Sequence, residues 1–135
     1  MSVTGAIDRL QHHARNLSGM RFAPNEPPES VAFFPFAVSY EQQVDYTSNR
    51  MGKVLDNVVA RLVTEIHVGR SEYQYDIPKI QPFRDAFIDA IRNDPSLSGE
   101  IQIIDNVAAT FGFMEWSQIK TIGYRFTVSV RLKEC

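Results

Sequence analysis

The chain has 135 residues, of which 44% are hydrophobic and 22% charged, and a net charge of −2. That length suits one domain, 1–135, with a core that needs no covalent staples. The faintly acidic balance argues against a dedicated nucleic-acid binder, which carries a basic patch and a high pI, and the single cysteine, Cys135, excludes an internal disulfide. At the last position, that thiol lacks the rigid support a catalytic nucleophile needs and reads as incidental. The amphipathic start, MSVTGAIDRLQHHARNL, has no continuous apolar run of the secretory kind. Nowhere does an apolar run approach the roughly 20 residues of a membrane span. A soluble protein with no membrane partner, made in a reducing cytosol, is expected.

Val3 to Leu17 reads as a helix with Ile7, Leu10, Ala14 and Leu17 on one face, a cap at Ser2 or Thr4 and a stop at Ser18-Gly19. His12 and His13 are adjacent, point about 100° apart and read as solvated surface residues rather than metal ligands. Met20 to Ser30 holds Pro24, Pro27 and Pro28 and predicts an extended strap. Val31 to Tyr40 predicts a strand in which Pro35 marks an edge or a bulge. The polar stretch Glu41 to Gly52 predicts a loop or flexible arm.

Lys53 to Val68 fits both a helical stripe and a strand face, and its many β-branched residues favour a strand with a bulge. Ile77 to Asn93 predicts a helix capped by Asp76, with Pro78 in the first turn and Ile77, Ile80, Phe83, Phe87, Ile88 and Ile91 on its apolar face. Pro82 implies a kink or a late start, and Asp94-Pro95 a stop. Glu100 to Phe113 and Gln118 to Lys133 predict an antiparallel pair joined by a turn at Met114 to Ser117. The second has the clearest pattern in the chain: Ile122, Tyr124, Phe126, Val128, Val130 and Leu132 alternate with Gly123, Arg125, Thr127, Ser129, Arg131 and Lys133. The order helix, strand, strand, helix, strand, strand predicts an α+β domain, with two helices packed on one face of a mainly antiparallel sheet of about four strands.

No phosphate-binding glycine loop, zinc-binding cysteine spacing, His-Glu-x-x-His helix or nucleophile elbow is present. Neither a cofactor nor a metal is expected. Glu65 and His67, two apart on one strand, have the spacing of a base and its orienter, although an exposed polar face near a strand end is the plainer expectation. Asp105 and Glu115 flank the last hairpin, and Arg70 and Glu72 lie in a turn. Tyr73 and Tyr75 flank that same turn. Trp116, in the turn Met-Glu-Trp-Ser, suits either a protein interface or a lid on the core.

Four segments taken together resemble the tail-completion, or tail-terminator, proteins of long-tailed bacteriophages. These are Ala23-Pro24 through Pro27-Pro28-Glu29 to Phe34-Pro35-Phe36-Ala37-Val38-Ser39-Tyr40; Glu65-Ile66-His67-Val68-Gly69-Arg70; the helix with Asn93-Asp94-Pro95-Ser96-Leu97-Ser98-Gly99; and Phe113-Met114-Glu115-Trp116 with Thr121-Ile122-Gly123-Tyr124-Arg125-Phe126. The resemblance implies a homo-oligomer, a hexameric ring, that caps the tail tube protein and joins it to the head-tail connector or stopper protein. It implies no enzymatic activity and no cofactor. It also implies residence in the virion tail or neck after assembly in the host cytoplasm. Contacts to a neighbour or the tube would fall on Tyr46, Arg50, Lys53, Arg70, Trp116, Arg125 and Arg131. A mildly negative chain suits a lumen through which DNA slides without sticking. A head-completion or neck stopper protein is the nearest alternative. A small cellular α+β ligand-binding or enzymatic domain, with His67, Glu65 or Arg70 at a pocket mouth, is the other.

Overall fold

The alternation that ends the chain organises the molecule. In the computed structural model, which describes residues 1–24, 34–48, 54–69, 73–116 and 118–133 (without the side chains of 69 and 73–80), six elements follow one another: α1 (Val3–Arg15), β1 (Phe36–Thr47), β2 (Asn57–Gly69), α2 (Tyr73–Arg92), β3 (Ile103–Trp116) and β4 (Ile119–Lys133). The strands form a single antiparallel sheet in the order β1-β2-β4-β3. Ile122, Tyr124, Phe126, Val128, Val130 and Leu132 of β4 are buried on one face beside Val58, Ala60, Leu62, Ile66 and Val68 of β2. Both helices cover that face. This is the α+β architecture that the hydrophobic pattern predicts. Each large aliphatic or aromatic side chain removed from water there contributes roughly 1.5–3 kcal/mol.

Helix α1 lies over β1 and β2 and buries Val3, Ala6, Leu10 and Ala14. The Ser2 hydroxyl caps it, accepting from the Gly5 N–H at 2.9 Å. The Glu100 carboxylate in turn accepts from the Ser2 N–H and hydroxyl at 3.0 and 3.1 Å. Gln11, the polar residue on the buried stripe, is fully used: its amide donates to the carbonyls of Pro24 and Ala37, and its oxygen accepts from the Ser39 hydroxyl. Helix α2 packs chiefly on β2 and β4, where the Phe87 ring meets Phe126 at 4.7 Å between centroids.

Asp94, just after α2, ties the two helices together. Its carboxylate accepts from Arg9 and His13 of α1, both at 2.8 Å, and from the Ser98 N–H at 2.9 Å. Burial pushes this carboxyl up, but Arg9, the Ser98 N–H and His13 outweigh it and hold it down at about 2. His13 is therefore engaged rather than solvated, whereas His12 is exposed as expected.

Among the element boundaries that depart from the pattern-based expectation, which include the later starts of β1 at Phe36 and β2 at Asn57, four are instructive. Strand β1 runs on to Thr47, through residues whose polarity predicts a loop. As an edge strand it faces water beyond Tyr40, so its composition there need not be apolar. Helix α2 begins at Tyr73, which puts Asp76 inside it rather than at its cap. A proline in a helix forfeits one backbone hydrogen bond and bends the axis without having to end it, so Pro78 and Pro82 delay no start here. Strand β3 begins at Ile103 rather than Glu100, because the chain from Asp94 onward closes turns with N–H bonds from Leu97, Gly99 and Glu100. It also continues to Trp116, which pairs with Ile119, so the hairpin turn is tighter than Met114 to Ser117. The strap expected over Met20 to Ser30 is described only as far as residue 24; its first part joins the edge of the sheet through a parallel bridge from Phe22 to Phe36.

Candidate functional site

The sheet carries a sealed corner on the face turned away from the helices and a bare strip along one edge. The corner is built where Phe36 of β1 faces His67 of β2 and His67 faces Gly123 of β4. Phe36 stacks on the His67 imidazole at 4.5 Å with 25° between planes. Trp116 closes over both rings at 6.0 and 6.3 Å, and Tyr40 lies 6.4 Å from the indole. Gly123 makes this fit possible, since a Cβ there would lie 1.9 Å from the Ile66 carbonyl oxygen. The register shifts just beyond it, between His67 and Gly69.

Beneath those rings runs a hydrogen-bonded chain that crosses every strand. The Tyr40 hydroxyl donates to Oε2 of Glu65; Oε1 of Glu65 lies 3.0 Å from Nε2 of His67; and Nδ1 of His67 meets the Thr121 hydroxyl. That hydroxyl lies 3.4 Å from the Met114 carbonyl of β3. It donates to Nδ1 when the imidazole carries its one proton on Nε2, and to Met114 when Nδ1 is protonated. Arg125 approaches Oε2 of Glu65 from the solvent side at 3.8 Å. Burial pushes the Glu65 carboxyl up, yet the bonds from His67 and Tyr40, with the charges of His67 and Arg125, leave it below its usual value. The Tyr40 phenol is pushed up to about 12, by burial first and then by its bond to the Glu65 carboxylate.

Hydroxyl, imidazole and carboxylate in series is the order used to activate a nucleophile. Here His67 is 0% exposed, Thr121 1% and Glu65 2%, so no substrate reaches the hydroxyl. The pairing of Glu65 with His67 anticipated from their spacing is present, but the exposed polar face expected around it is not. The aromatic residues of β1 and the end of β3 cover it. The chain is a buried polar network in which every member has a partner, an arrangement that fixes a packing.

The bare strip is β3. Among the described residues it pairs with β4 alone and has no strand on its other side. From Asn106 to Met114 it carries no charged side chain and no proline. Phe111 is 43% exposed and Phe113 56%, on the helix side but beyond the main cover of α2. A shallow groove of about 460 Å³ runs between α2 and β3, lined by Ile88, Ile91, Ile104 and Val107 among others.

The anticipated contact residues do not gather at one place. Tyr46 is exposed near the far end of β1. Trp116 is half-buried over the sealed corner, as a lid. Arg125 stands beside Glu65, and Arg131 bonds Asp105 at 2.7 Å across the β3–β4 pair. Arg50, Lys53, Arg70, Glu72 and Cys135 lie outside the described residues. Sequence reasoning did not single out Tyr40, Thr121 or the β3 edge. The uncharged run from Asn106 to Met114 was the available signal for the last. No group of three or more His, Cys, Asp or Glu that could hold a metal occurs among the described residues. None of their helices is long and apolar enough to cross a membrane. No model of a known protein family matches the chain, and no curated protein matches it.

Proposed function

We propose that this chain is a structural assembly subunit, a ring-forming tail terminator of a long-tailed bacteriophage that caps the tail tube and joins it to the head-side connector. The observation that carries the reading is the contrast on the sheet. Among the described residues, the one constellation ordered for acid–base work is sealed, while a 14-residue edge strand with two exposed phenylalanines is open along its outer side. Such a surface supports assembly rather than turnover. The resemblance of the four segments to tail-completion proteins supplies the particular assembly. On this reading Tyr46 and the polar face of β4, including Arg125 and Arg131, lie toward a neighbour, the tube or the lumen, and the subunit resides in the virion tail.

Negative-stain microscopy of the purified protein, alone and mixed with tail tubes, tests the role. Tubes capped at one end by a ring of uniform diameter are expected. Bare tubes together with a featureless solution at high concentration overturn it.

A further inference from the structure

We propose that β3 pairs antiparallel with β3 of a second copy of this chain, about a two-fold axis at Thr110, so that two four-stranded sheets become one. This pairing does not depend on the tail role and holds for the isolated protein.

The two edges of the sheet differ in what they can accept. β1 is bulged between Glu41 and Gln43 and places Glu41 and Asp45 in its ladder. Bulges and charges are the devices that keep an edge single. β3 has neither over Asn106 to Met114, its one shift falling earlier, between Ile104 and Asn106. A strand meeting this edge therefore meets no charge for nine consecutive positions, 106 to 114.

The side chains argue that the strand is a second β3. A two-fold axis perpendicular to the sheet keeps each face on its own side, so only positions of the same parity can face one another. Val107, Ala109, Phe111 and Phe113 lie on the helix side, opposite Val128, Phe126, Tyr124 and Ile122 of β4. With the axis at Thr110, Phe111 of each copy faces Ala109 of the other, and Phe113 faces Val107. Large meets small on the exposed side. Phe113 also arrives at the mouth of the groove lined by Ile88, Ile91, Ile104 and Val107. On the opposite face, Ala108 meets Gly112 and Asn106 meets Met114. Beyond the two ends of this uncharged run, Asp105 at the bulge is bonded to Arg131 and Glu115 sits across from Lys120, so each acid has a base of its own sheet beside it. Among the described residues α2 lies chiefly over β2 and β4 rather than over β3.

The test uses the whole chain carrying Cys135→Ser. Light scattering gives a dimer, and Thr110→Cys forms a covalent dimer under mild oxidation, because strands paired at their symmetry axis bring their Cα atoms to about 5 Å, within disulfide range. Asn106→Cys, facing Met114 rather than itself, does not cross-link. Thr110→Lys, at an exposed position, weakens the dimer at least tenfold with an unchanged circular dichroism spectrum. A monomer at millimolar concentration overturns the pairing. So does a larger assembly that Thr110→Lys leaves intact and Thr110→Cys does not cross-link; in that case ring formation survives through another surface. Cross-linking of Thr110→Cys only to added tube protein also overturns it, since the occupant is then a different chain.

Discussion

β1 and β3 are the two outer strands of one sheet, and they are finished in opposite ways. The β1 side is closed. Phe22 bridges to Phe36, the Pro35 carbonyl accepts the N–H groups of Arg21 and Phe22, a bulge interrupts the ladder, and α1 is packed over the strand. Phe36 and Tyr40 from that edge then roof a buried polar network. Among the described residues β3 has no comparable cover, and its middle is uncharged and partly aromatic. The difference teaches where this molecule spends its polar groups. They are used inward to fix the packing at one edge, and they are withheld at the other, where a neighbouring strand can be received.

The strongest way to break that comparison is to open the closed side. Glu65→Ala leaves the buried His67 and the Tyr40 hydroxyl without their acceptor and should cost about 3–5 kcal/mol, read as a lower midpoint in urea unfolding. A loss below about 1 kcal/mol would mean that the network fixes nothing.

Next in size is the tie between α1 and the end of α2. Asp94 is held down at about 2, so its contribution is complete above the unfolded carboxyl value of 3.8 and is lost as pH falls toward 2. With its side chain 17% exposed and part of the effect screened, roughly 1–2 kcal/mol is expected from Asp94. Asp94→Asn should remove that amount at neutral pH and flatten the stability–pH slope between about pH 4 and 2. An unchanged slope would contradict the assignment.

The smallest stability effect belongs to the open side. Phe111→Thr should shift folding stability by less than about 0.5 kcal/mol while weakening self-association in sedimentation. If it instead destabilises the fold by several kcal/mol, β3 is core and the two edges are not different in kind.

Much of this architecture is written locally. The alternation from Ile122 to Leu132 marks β4, the β-branched residues of β2 decide between strand and helix, and Ser2 with the apolar stripe of α1 marks the first helix. What escaped was set by distant parts of the chain. Glu41 to Thr47 looks like a loop because one side of an edge strand is allowed to be polar. Tyr73 to Asp76 looks non-helical because of the prolines that follow. Glu65 and His67 look exposed because polarity ordinarily means exposure. Their cover comes from Phe36 and Trp116, about 30 and 50 residues away in the chain. Gly123 could have hinted at it: a glycine inside an otherwise regular strand signals a close backbone approach, and here that approach lies beside the buried imidazole.

Trp116 is the only tryptophan in the chain, and its ring rests against His67, Phe36 and Tyr40. Intrinsic indole fluorescence is consequently a local gauge rather than a global average. Its emission maximum reports whether the roof over the imidazole is shut, in one sample and without any label, at the opposite end of β3 from the groove beside Val107. Urea or acid titrations followed at that wavelength therefore time the opening of one corner of the sheet against the loss of total secondary structure seen by circular dichroism.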